Sequence, residues 1–313
     1  MRHHPEPEAT PDGPAYQGRL LDRVDEPVVD QGAPFDVRTL ITRRGMLAVL
    51  GIGVGAAALA ACTPEGASTA TTGSASTSDG EIPEETAGPY PGDGSNGPDV
   101  LEESGIVRSD IRSSIDGGAT AVGVPLVFTL ALADMLNDDA PFEGLAVYVW
   151  HCDAQGGYSM YSEGLEDETY LRGVQVTGAD GTVTFTSIYP GCYTGRWPHI
   201  HFEVYPDTSS IADSSTAIAT SQLAFPQDAC ELVYADDRYS GSAQNLAGVS
   251  LATDNVFGDD GGALQLATLT GDPAAGYTAT LPVRIDTSTA AGAGMMSGGG
   301  GMPGGGPSGQ PPR

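Results

Sequence analysis

The stretch GRWPHIHFEVYP, residues 195–206, indicates a β-strand that carries two histidines two positions apart. Alternate side chains of a strand point to the same face, so His199 and His201 project side by side and can reach one metal ion. The same spacing also occurs in ordinary polar strands, so the pair alone names no metal. Phe202 and Val204 indicate that the strand is half buried, where unpaired imidazoles are costly. His199 and His201 are therefore candidate metal ligands.

Further runs of the same type lie on both sides of this strand. They are rich in Val, Thr, Phe and Tyr, mostly alternate with period two, and end at Gly, Pro, Asn or Asp. The runs are VPLVFTLALAD (124–134), LAVYVWHCD (145–153), TVTFTSIYP (182–190), STAIATSQLAF (215–225) and YTATLPVRI (277–285). ADGT (179–182) is typical of a hairpin turn, and short helices are predicted only around 226–235 and 242–250. The pattern predicts an all-β protein, an antiparallel β-sandwich with few short helices.

Composition limits the partners. The chain has 313 residues, a net charge of −28 and no lysine. Such a charge repels nucleic acid and anionic lipid, so neither is an expected partner, and it is typical of solubility in an extracellular or high-salt setting. After the polar N-terminal residues and the Gly-rich tail are set aside, roughly 200 residues can form a core, which suits one domain.

The N-terminal region predicts export. Arg43 and Arg44 precede an uncharged stretch, Met46–Ala61, which is short for a membrane span and typical of a twin-arginine (Tat) signal peptide. The stretch ends in Leu–Ala–Ala–Cys, which resembles a lipoprotein cleavage site with Cys62 as the lipidated residue; an uncleaved anchor helix is the alternative. We therefore expect a cell-surface lipoprotein or a secreted protein, with the membrane contacted only through the lipid on Cys62.

These features divide the chain into four parts. Residues 1–61 form an N-terminal extension with the signal peptide, and residues 62–83 form a Ser/Thr-rich flexible tether. Residues 84–286 form the β-sandwich domain, and residues 287–313 form a Gly/Met/Pro-rich disordered tail.

The identity of the metal depends on further ligands. Zinc needs a third His, Cys or carboxylate, and Glu203 lies two residues beyond His201 on the same strand, which is awkward for facial coordination. A tyrosine phenolate is a hard, anionic oxygen donor suited to iron(III). Tyr193 lies six residues before His199, and Tyr158 lies further upstream.

At these tyrosines the sequence resembles the intradiol ring-cleavage dioxygenases, which include the catechol and protocatechuate dioxygenases. The motifs that carry the resemblance occur in the family's order between about residues 84 and 285. They are Thr86–Ala87–Gly88–Pro89–Tyr90, Trp150, Gly157–Tyr158, Pro190–Gly191–Cys192–Tyr193 and Arg196–Trp197–Pro198–His199–Ile200–His201. The chain also lacks the helical N-terminal dimerisation domain of the catechol enzymes, and it resembles the exported actinobacterial members more closely.

The resemblance implies a fold, a reaction and a set of residues. It implies a β-sandwich that cleaves a catecholic ring with O2 to a cis,cis-muconate-type diacid, an oxidoreductase reaction. Four side chains are implied as ligands of a non-haem iron(III): Tyr158, Tyr193, His199 and His201. Tyr193 is further implied to leave the metal and take a substrate proton, and Arg196 to stabilise negative charge on the ring.

The same resemblance places Tyr90 at the substrate pocket, with packing of the N-terminal segment as the alternative, and Trp197 is expected to shape the mouth of that pocket. Only Thr194 and Gly195 separate the second tyrosine from the arginine, where the cytoplasmic enzymes have a longer insertion, so the ring substituents of the substrate do not carry over. A catalytically silent β-sandwich of the same ancestry, acting as a binding or cell-surface module, is the alternative function.

Cysteine pairing stays open at this point. Outside the cytoplasm, two of Cys152, Cys192 and Cys230 are expected to form a disulfide, leaving one thiol over. A bridge between Cys152 and Cys192 would brace the site.

Overall fold

The computed structural model describes residues 80–289 and 291 in full, and the backbone of three short segments before them. Those segments are strands β1 (Glu8–Thr10), β2 (Gly13–Tyr16) and β3 (Arg19–Leu20), which pair into a small antiparallel sheet. The predicted signal peptide with Cys62, the tether up to residue 79 and the tail beyond residue 291 lie outside the described residues. Within the described residues, no helix is both long and apolar enough to span a bilayer.

Nine further strands form the domain. They are β4 (Pro125–Asp134), β5 (Ala140–Pro141), β6 (Ala146–Trp150), β7 (Arg172–Val176), β8 (Thr182–Ile188), β9 (His199–Tyr205), β10 (Ala219–Ala224), β11 (Thr268–Asp272) and β12 (Gly276–Ile285). The described helices are α1 (Gln227–Val233) and α2 (Ser242–Leu246), with single 3-10 turns at Met135–Asn137, Ser214–Thr216, Asp237–Tyr239 and Leu251–Thr253. The prediction of an all-β domain with few short helices is confirmed.

The strands form two sheets. One has the order β10-β9-β6-β7; in the other, β11, β12 and β4 lie in sequence, with β5 and β8 both paired to β4. The β4–β12 pair is parallel, from Leu126↔Tyr277 to Asp134↔Ile285, so the sandwich is mixed and not wholly antiparallel as expected. The two strands are separated by most of the domain, so no hairpin connection forces them to run in opposite directions.

The turn at 179–182 does not make a hairpin, and that prediction is wrong. The strands on either side of it, β7 and β8, belong to different sheets. The turn therefore carries the chain from one layer of the sandwich to the other. Three strands were not predicted: β5, β7 and β11. All three are short, and β7 and β11 each contain a glycine, which weakens the alternating pattern.

Strand β9 is buried on both faces and not half buried as expected. Its even-numbered residues face the core between the two sheets, where they pack with residues such as Phe128 of β4 and Leu281 of β12. Its odd-numbered residues face the opposite side of the four-stranded sheet, here called the outer face. A second apolar cluster covers the outer face, and its residues include Val100, Leu101, Ile106, Tyr148, Trp150, Tyr158, Met160, Tyr161 and Tyr205.

Residues 84–92, here called the N-terminal strap, run across this outer face. The amide N of Glu85 donates to the carbonyl of Thr220 on the edge strand β10, at 2.7 Å. At the other end of the strap, the carbonyl of Pro91 accepts from the hydroxyl of Tyr148 on β6, at 2.6 Å. The strap thus closes the face that carries both histidines.

Candidate metal centre

Strand register places the two histidines among specific neighbours. His201 lies opposite Trp150 on β6 and opposite Gln222 on β10, and Trp150 in turn lies opposite Arg172 on β7. Residues directly opposite one another in a ladder share a face. Gln222, His201, Trp150 and Arg172 therefore form one row across the outer face, and the imidazole of His201 stacks on the indole of Trp150.

The two imidazoles converge through their Nε2 atoms, which lie 3.1 Å apart. Nδ1 of His199 lies within hydrogen-bonding distance of the carbonyl of Trp197 and must donate to it, since a carbonyl only accepts. Nε2 of His199 therefore carries the lone pair and faces His201. Two donor atoms at this separation suit neighbouring ligands of one ion with metal–nitrogen distances of about 2 Å.

Both predicted tyrosines reach the same point. The hydroxyl oxygen of Tyr193 lies 3.3 Å from Nε2 of His199, and the ring centroids of Tyr158 and Tyr193 lie 5.9 Å apart. The hydroxyl of Tyr158 is buried and has no hydrogen-bonding partner among the described residues. A buried polar atom without a partner is unusual and costly, so a ligand for this oxygen is expected.

The glycine of the second tyrosine motif, Gly191, is required for steric reasons. A Cβ on Gly191 would lie 2.8 Å from the carbonyl oxygens of both Asp153 and Ala154. Only glycine allows this approach, and it brings the loop that precedes Tyr158 against the segment that carries Tyr193. The structure thus brings all four predicted ligands, Tyr158, Tyr193, His199 and His201, to one place.

The four side chains fit a ferric ion. Burial lowers the pKa of His199 and His201, so both imidazoles are neutral and can donate a lone pair. Burial, with Tyr193 beside it, raises the pKa of Tyr158, which a cation bound at its oxygen would reverse. No cluster of three or more His, Cys, Asp or Glu able to hold a metal occurs in the part of the chain that is described. The donor set therefore depends on the two phenols, which suit iron(III) better than zinc.

Glu203 is not part of this donor set. Its carboxylate is buried and accepts a hydrogen bond from the hydroxyl of Tyr205 at 2.7 Å. Burial raises the pKa of Glu203 to about 8. The partner of Glu203, Tyr205, lies further along β9 than Glu203 and on the side away from the histidine pair.

Arg196 points its guanidinium at the centre from the β10 side. The side chain is buried; Nη1 lies 3.5 Å from Nε2 of His199, and Nη2 donates to Oε1 of Gln222 at 2.6 Å. Nε forms an ion pair with Asp254 at 3.0 Å. The sequence motifs predicted Arg196 but not its two partners, Gln222 and Asp254. Gln222 becomes visible only through its register opposite His201, and Asp254 lies 58 residues beyond the arginine.

Tyr90 and Trp197 have different places. The ring of Tyr90 lies beside that of Tyr158, with centroids 4.7 Å apart, so Tyr90 lies next to the centre as expected. The indole of Trp197 lies in the core between the sheets, where Nε1 donates to the carbonyl of Phe225 at 2.9 Å. Trp197 therefore meets the site through its backbone carbonyl on His199, in place of the expected side-chain contact at a pocket mouth.

Arg172 was not predicted from the sequence, because no motif marks it. It is 1% exposed, and its guanidinium donates to the carbonyls of Tyr90, Pro91 and Ser159 and to the hydroxyls of Ser159 and Tyr148. Arg172 thus ties the strap to the loop that follows Tyr158.

The expected disulfide is absent. Cys152, Cys192 and Cys230 are all buried free thiols. Sγ of Cys152 donates to the carbonyl of Gly191 at 3.5 Å, and Sγ of Cys192 to that of Arg196 at 3.5 Å. Burial raises the pKa of all three thiols, to about 12 for Cys192 and Cys230, so they are protonated packing groups.

Comparison with known proteins agrees with this geometry. A family model described as Dioxygenase matches residues 96–265. The solved structure of an intradiol ring-cleavage dioxygenase from Tetranychus urticae is similar with a TM-score of 0.53 and 26% identity, over 68% of this chain and 98% of that one.

Two curated relatives match shorter segments. The chain is 42% identical to chlorocatechol 1,2-dioxygenase of Rhodococcus opacus over 66 residues, which are 21% of this chain and 25% of that protein. It is 29% identical to catechol 1,2-dioxygenase 1 of Acinetobacter lwoffii over 124 residues, 34% of this chain and 37% of that protein. The matched parts thus span well under half the length of these relatives.

The fold and the site define a β-sandwich with a buried two-tyrosine, two-histidine centre. Because the family model covers more than half of the chain, this protein belongs to the intradiol ring-cleavage dioxygenase family. The resemblance inferred from the motifs is confirmed.

Proposed function

We propose that this chain is an iron(III)-dependent intradiol dioxygenase that cleaves a catecholic aromatic ring with O2 to a cis,cis-muconate-type diacid. The observation that carries the proposal is the convergence of two imidazole nitrogens and two tyrosines on one buried point beside a buried arginine. Family membership supports it, and the two curated relatives are named for catechol and chlorocatechol.

Tyr158, Tyr193, His199 and His201 would hold the iron. When bound, ferric iron would supply a Lewis acid that lowers the pKa of the catechol hydroxyls and makes the ring reactive towards O2. The phenolates of Tyr158 and Tyr193 would offset two of the three positive charges of that ion.

The two tyrosines differ in exposure, which suggests different roles. Tyr158 is 2% exposed and its oxygen has no hydrogen-bonding partner in the described part of the chain, so it is suited to remain a ligand throughout. Tyr193 is only half buried, and its oxygen lies 3.3 Å from Nε2 of His199. Tyr193 is therefore the better group to exchange: its oxygen would accept one of the two protons that a catechol must lose.

The remaining groups orient the substrate and exclude water. Arg196 carries a positive charge that no working pH removes, and its Nη1 faces the centre, so it would stabilise negative charge on the bound ring. The strap and Tyr90 close the outer face above Tyr158, which keeps the charged groups in a medium of low dielectric constant, where their interactions are strong.

The alternative of a catalytically silent module gains no support. A silent relative is expected to have lost at least one group of the site, whereas all four ligand side chains and Arg196 are present and oriented.

Iron loading tests the function. Protein reconstituted with ferric salt should turn burgundy through tyrosinate-to-iron charge transfer, change colour on addition of catechol, consume O2 and release a muconate-type diacid. Protein that stays colourless and iron-free would contradict the proposal, and semialdehyde products would mean extradiol cleavage. An oxygen-uptake panel of catechol, protocatechuate and hydroxyquinol then defines the accepted ring substituents.

We also propose that the enzyme works outside the cytoplasm, exported by the twin-arginine signal and held by a lipid on Cys62. The support is the sequence of residues 43–62 alone. Replacing both arginines by lysine should leave the full-length protein in the cytoplasm, and Cys62→Ala should abolish incorporation of labelled fatty acid. Fatty acid incorporated equally by the alanine variant would contradict the anchor.

A further inference from the structure

Asp254 is a buried carboxylate on which four donors converge. It is 2% exposed, and it follows the 3-10 turn Leu251–Thr253, outside every motif of the site. Its Oδ2 accepts from Nε of Arg196 at 3.0 Å and from the backbone N of Trp197 at 2.6 Å. Its Oδ1 accepts from the backbone N of Val256 at 2.8 Å and of Phe257 at 3.1 Å. Each carboxylate oxygen of Asp254 therefore accepts two hydrogen bonds from this chain.

The ion pair determines how Arg196 presents its guanidinium. The two side chains are 5% and 0% exposed, so neither charge has water as a substitute partner. A buried charge without a counter-ion is strongly unfavourable. The orientation of the Arg196 side chain therefore depends on that of Asp254. Nε of Arg196 donates to Asp254 and Nη2 donates to Gln222. The third nitrogen, Nη1, is left to face Nε2 of His199 at 3.5 Å.

The same carboxylate also acts on two neighbours of His199. It holds the backbone N of Trp197, the residue whose carbonyl accepts from Nδ1 of His199. It also caps the turn that carries Phe257, whose ring lies 6.5 Å from the ring of His199 and 6.0 Å from Cζ of Arg196. One side chain thus connects the arginine, the backbone support of a ligand histidine and an aromatic wall.

We propose that Asp254 is a positioning residue that acts through Arg196, holding its guanidinium towards the histidine pair so that Nη1 meets the charge that develops on the substrate. Asp254 touches neither the histidine nitrogens nor the tyrosine oxygens. The proposal rests on the proposed function for its catalytic consequence but not for the geometry that it assigns to Arg196.

A double-mutant cycle tests the catalytic consequence with Asp254→Asn, Arg196→Met and the double variant, each loaded with iron. Asparagine keeps an oxygen acceptor but removes the counter-charge. We expect Asp254→Asn to retain its iron and its visible charge-transfer band and to change KM little. It should lower kcat for catechol by about 10- to 100-fold, less than the roughly 100- to 1000-fold that loss of a preorganised donor costs, because Arg196 itself remains. In the Arg196→Met background the same change should cost nothing further.

Asp236→Asn is the matched control, because Asp236 also pairs with an arginine and accepts its backbone N, but near the surface on Arg238. It should leave kcat, KM and the spectrum unchanged. A merely structural role of Asp254 would lower iron content together with kcat and would add to Arg196→Met. Additive losses, or an unchanged kcat in Asp254→Asn, would overturn the proposal.

A second measurement needs neither iron nor turnover. In the metal-free protein, the Nε–H proton of Arg196 should exchange slowly with solvent in NMR spectra, and Asp254→Asn should make its exchange fast while Asp236→Asn does not. An Arg196 Nε–H that is unchanged in Asp254→Asn would overturn the proposal even if the wild type cleaves catechol. If wild-type protein binds iron but cleaves no catechol, the proposed function fails while this result still decides the positioning. Should the asparagine variant not fold, Asp254→Glu, which keeps the charge but displaces it, is judged by the same two readouts.

Discussion

The indole of Trp150 lies flat against the imidazole of His201, with ring centroids 4.9 Å apart and ring planes 4° from parallel. The two residues are directly opposite each other on β6 and β9, so the sheet itself aligns the rings. The ring of Trp150 thereby orients His201 on the side where no hydrogen bond does, because Nδ1 of His201 is buried and has no partner among the described residues.

Trp150→Ala should therefore weaken metal binding in addition to stability. Both tryptophans are buried, so Trp150→Ala and the matched control Trp197→Ala should each lower the free energy of unfolding by about 3–5 kcal/mol in urea. Only Trp150→Ala removes a ring from His201, so it should lose more iron to a competing chelator than the control. Equal losses of iron would contradict the role of the stack.

Tyr158→Phe should separate metal binding from stability. The hydroxyl of Tyr158 is buried and has no hydrogen-bonding partner among the residues that the structure describes. Its removal should therefore leave the metal-free protein as stable as before or more stable, by up to about 1 kcal/mol. The same change should abolish the iron charge-transfer band.

Tyr161→Phe is the control for Tyr158→Phe. The hydroxyl of Tyr161 accepts from the backbone N of Gly92 and donates to Oδ1 of Asn96, both at 2.8 Å. Its loss should cost about 1–3 kcal/mol and leave the iron band in place. Urea denaturation and visible spectra of the two variants measure the contrast; a clear destabilisation by Tyr158→Phe would show that its hydroxyl has a partner in the protein.

Arg172→Met should loosen the strap and the Tyr158 loop together. It leaves the carbonyls of Tyr90, Pro91 and Ser159 buried without this donor, so we expect a loss of at least about 3 kcal/mol in the free energy of unfolding. Limited proteolysis should cut near residues 84–92 earlier than in the wild type.

Arg112→Met is the comparison for Arg172→Met. Arg112 pairs with Asp110 at 2.6 Å, but its side chain is 43% exposed, so its loss should cost no more than about 1 kcal/mol. A strap that resists protease equally in both variants would contradict the proposed tie between Arg172 and the strap.

Glu85 should make stability depend on pH. Burial, with repulsion from Asp259, raises the pKa of Glu85 from 4.5 to about 8. The native protein then binds the proton more tightly than the unfolded chain, so this contribution is complete below about pH 4.5 and is lost as pH rises through about 8. Glu85→Gln should flatten the decline in the free energy of unfolding over that range, whereas Glu143→Gln, at an exposed position, should not. An unaltered slope in Glu85→Gln would contradict the assignment.

The local pattern was enough to predict the four candidate ligands and most strands. His199 and His201 follow from the two-residue period of a strand, and Tyr158, Tyr193 and Arg196 from motifs whose glycines serve a local steric purpose, as at Gly191. Five of the six predicted runs contain a strand at nearly the expected place; in the sixth, residues 215–225, the strand begins only at Ala219.

The pairing of segments that are distant along the chain could not be predicted from the sequence. The parallel β4–β12 pair, the crossing of 179–182 between the sheets and the free thiols of Cys152 and Cys192 all depend on how remote segments meet. Local sequence preferences do not specify these contacts, because each segment could pair or pack with more than one other segment.

By itself, therefore, the sequence determined the type of fold, the family and which four side chains form the candidate metal centre, since these depend on residue type and on short spacings. The tertiary structure decided what supports those donors: Trp150 against His201, Arg172 between the strap and the Tyr158 loop, and Asp254 behind Arg196. These supports depend on strand register and on burial, which arise only when segments distant along the chain pack together.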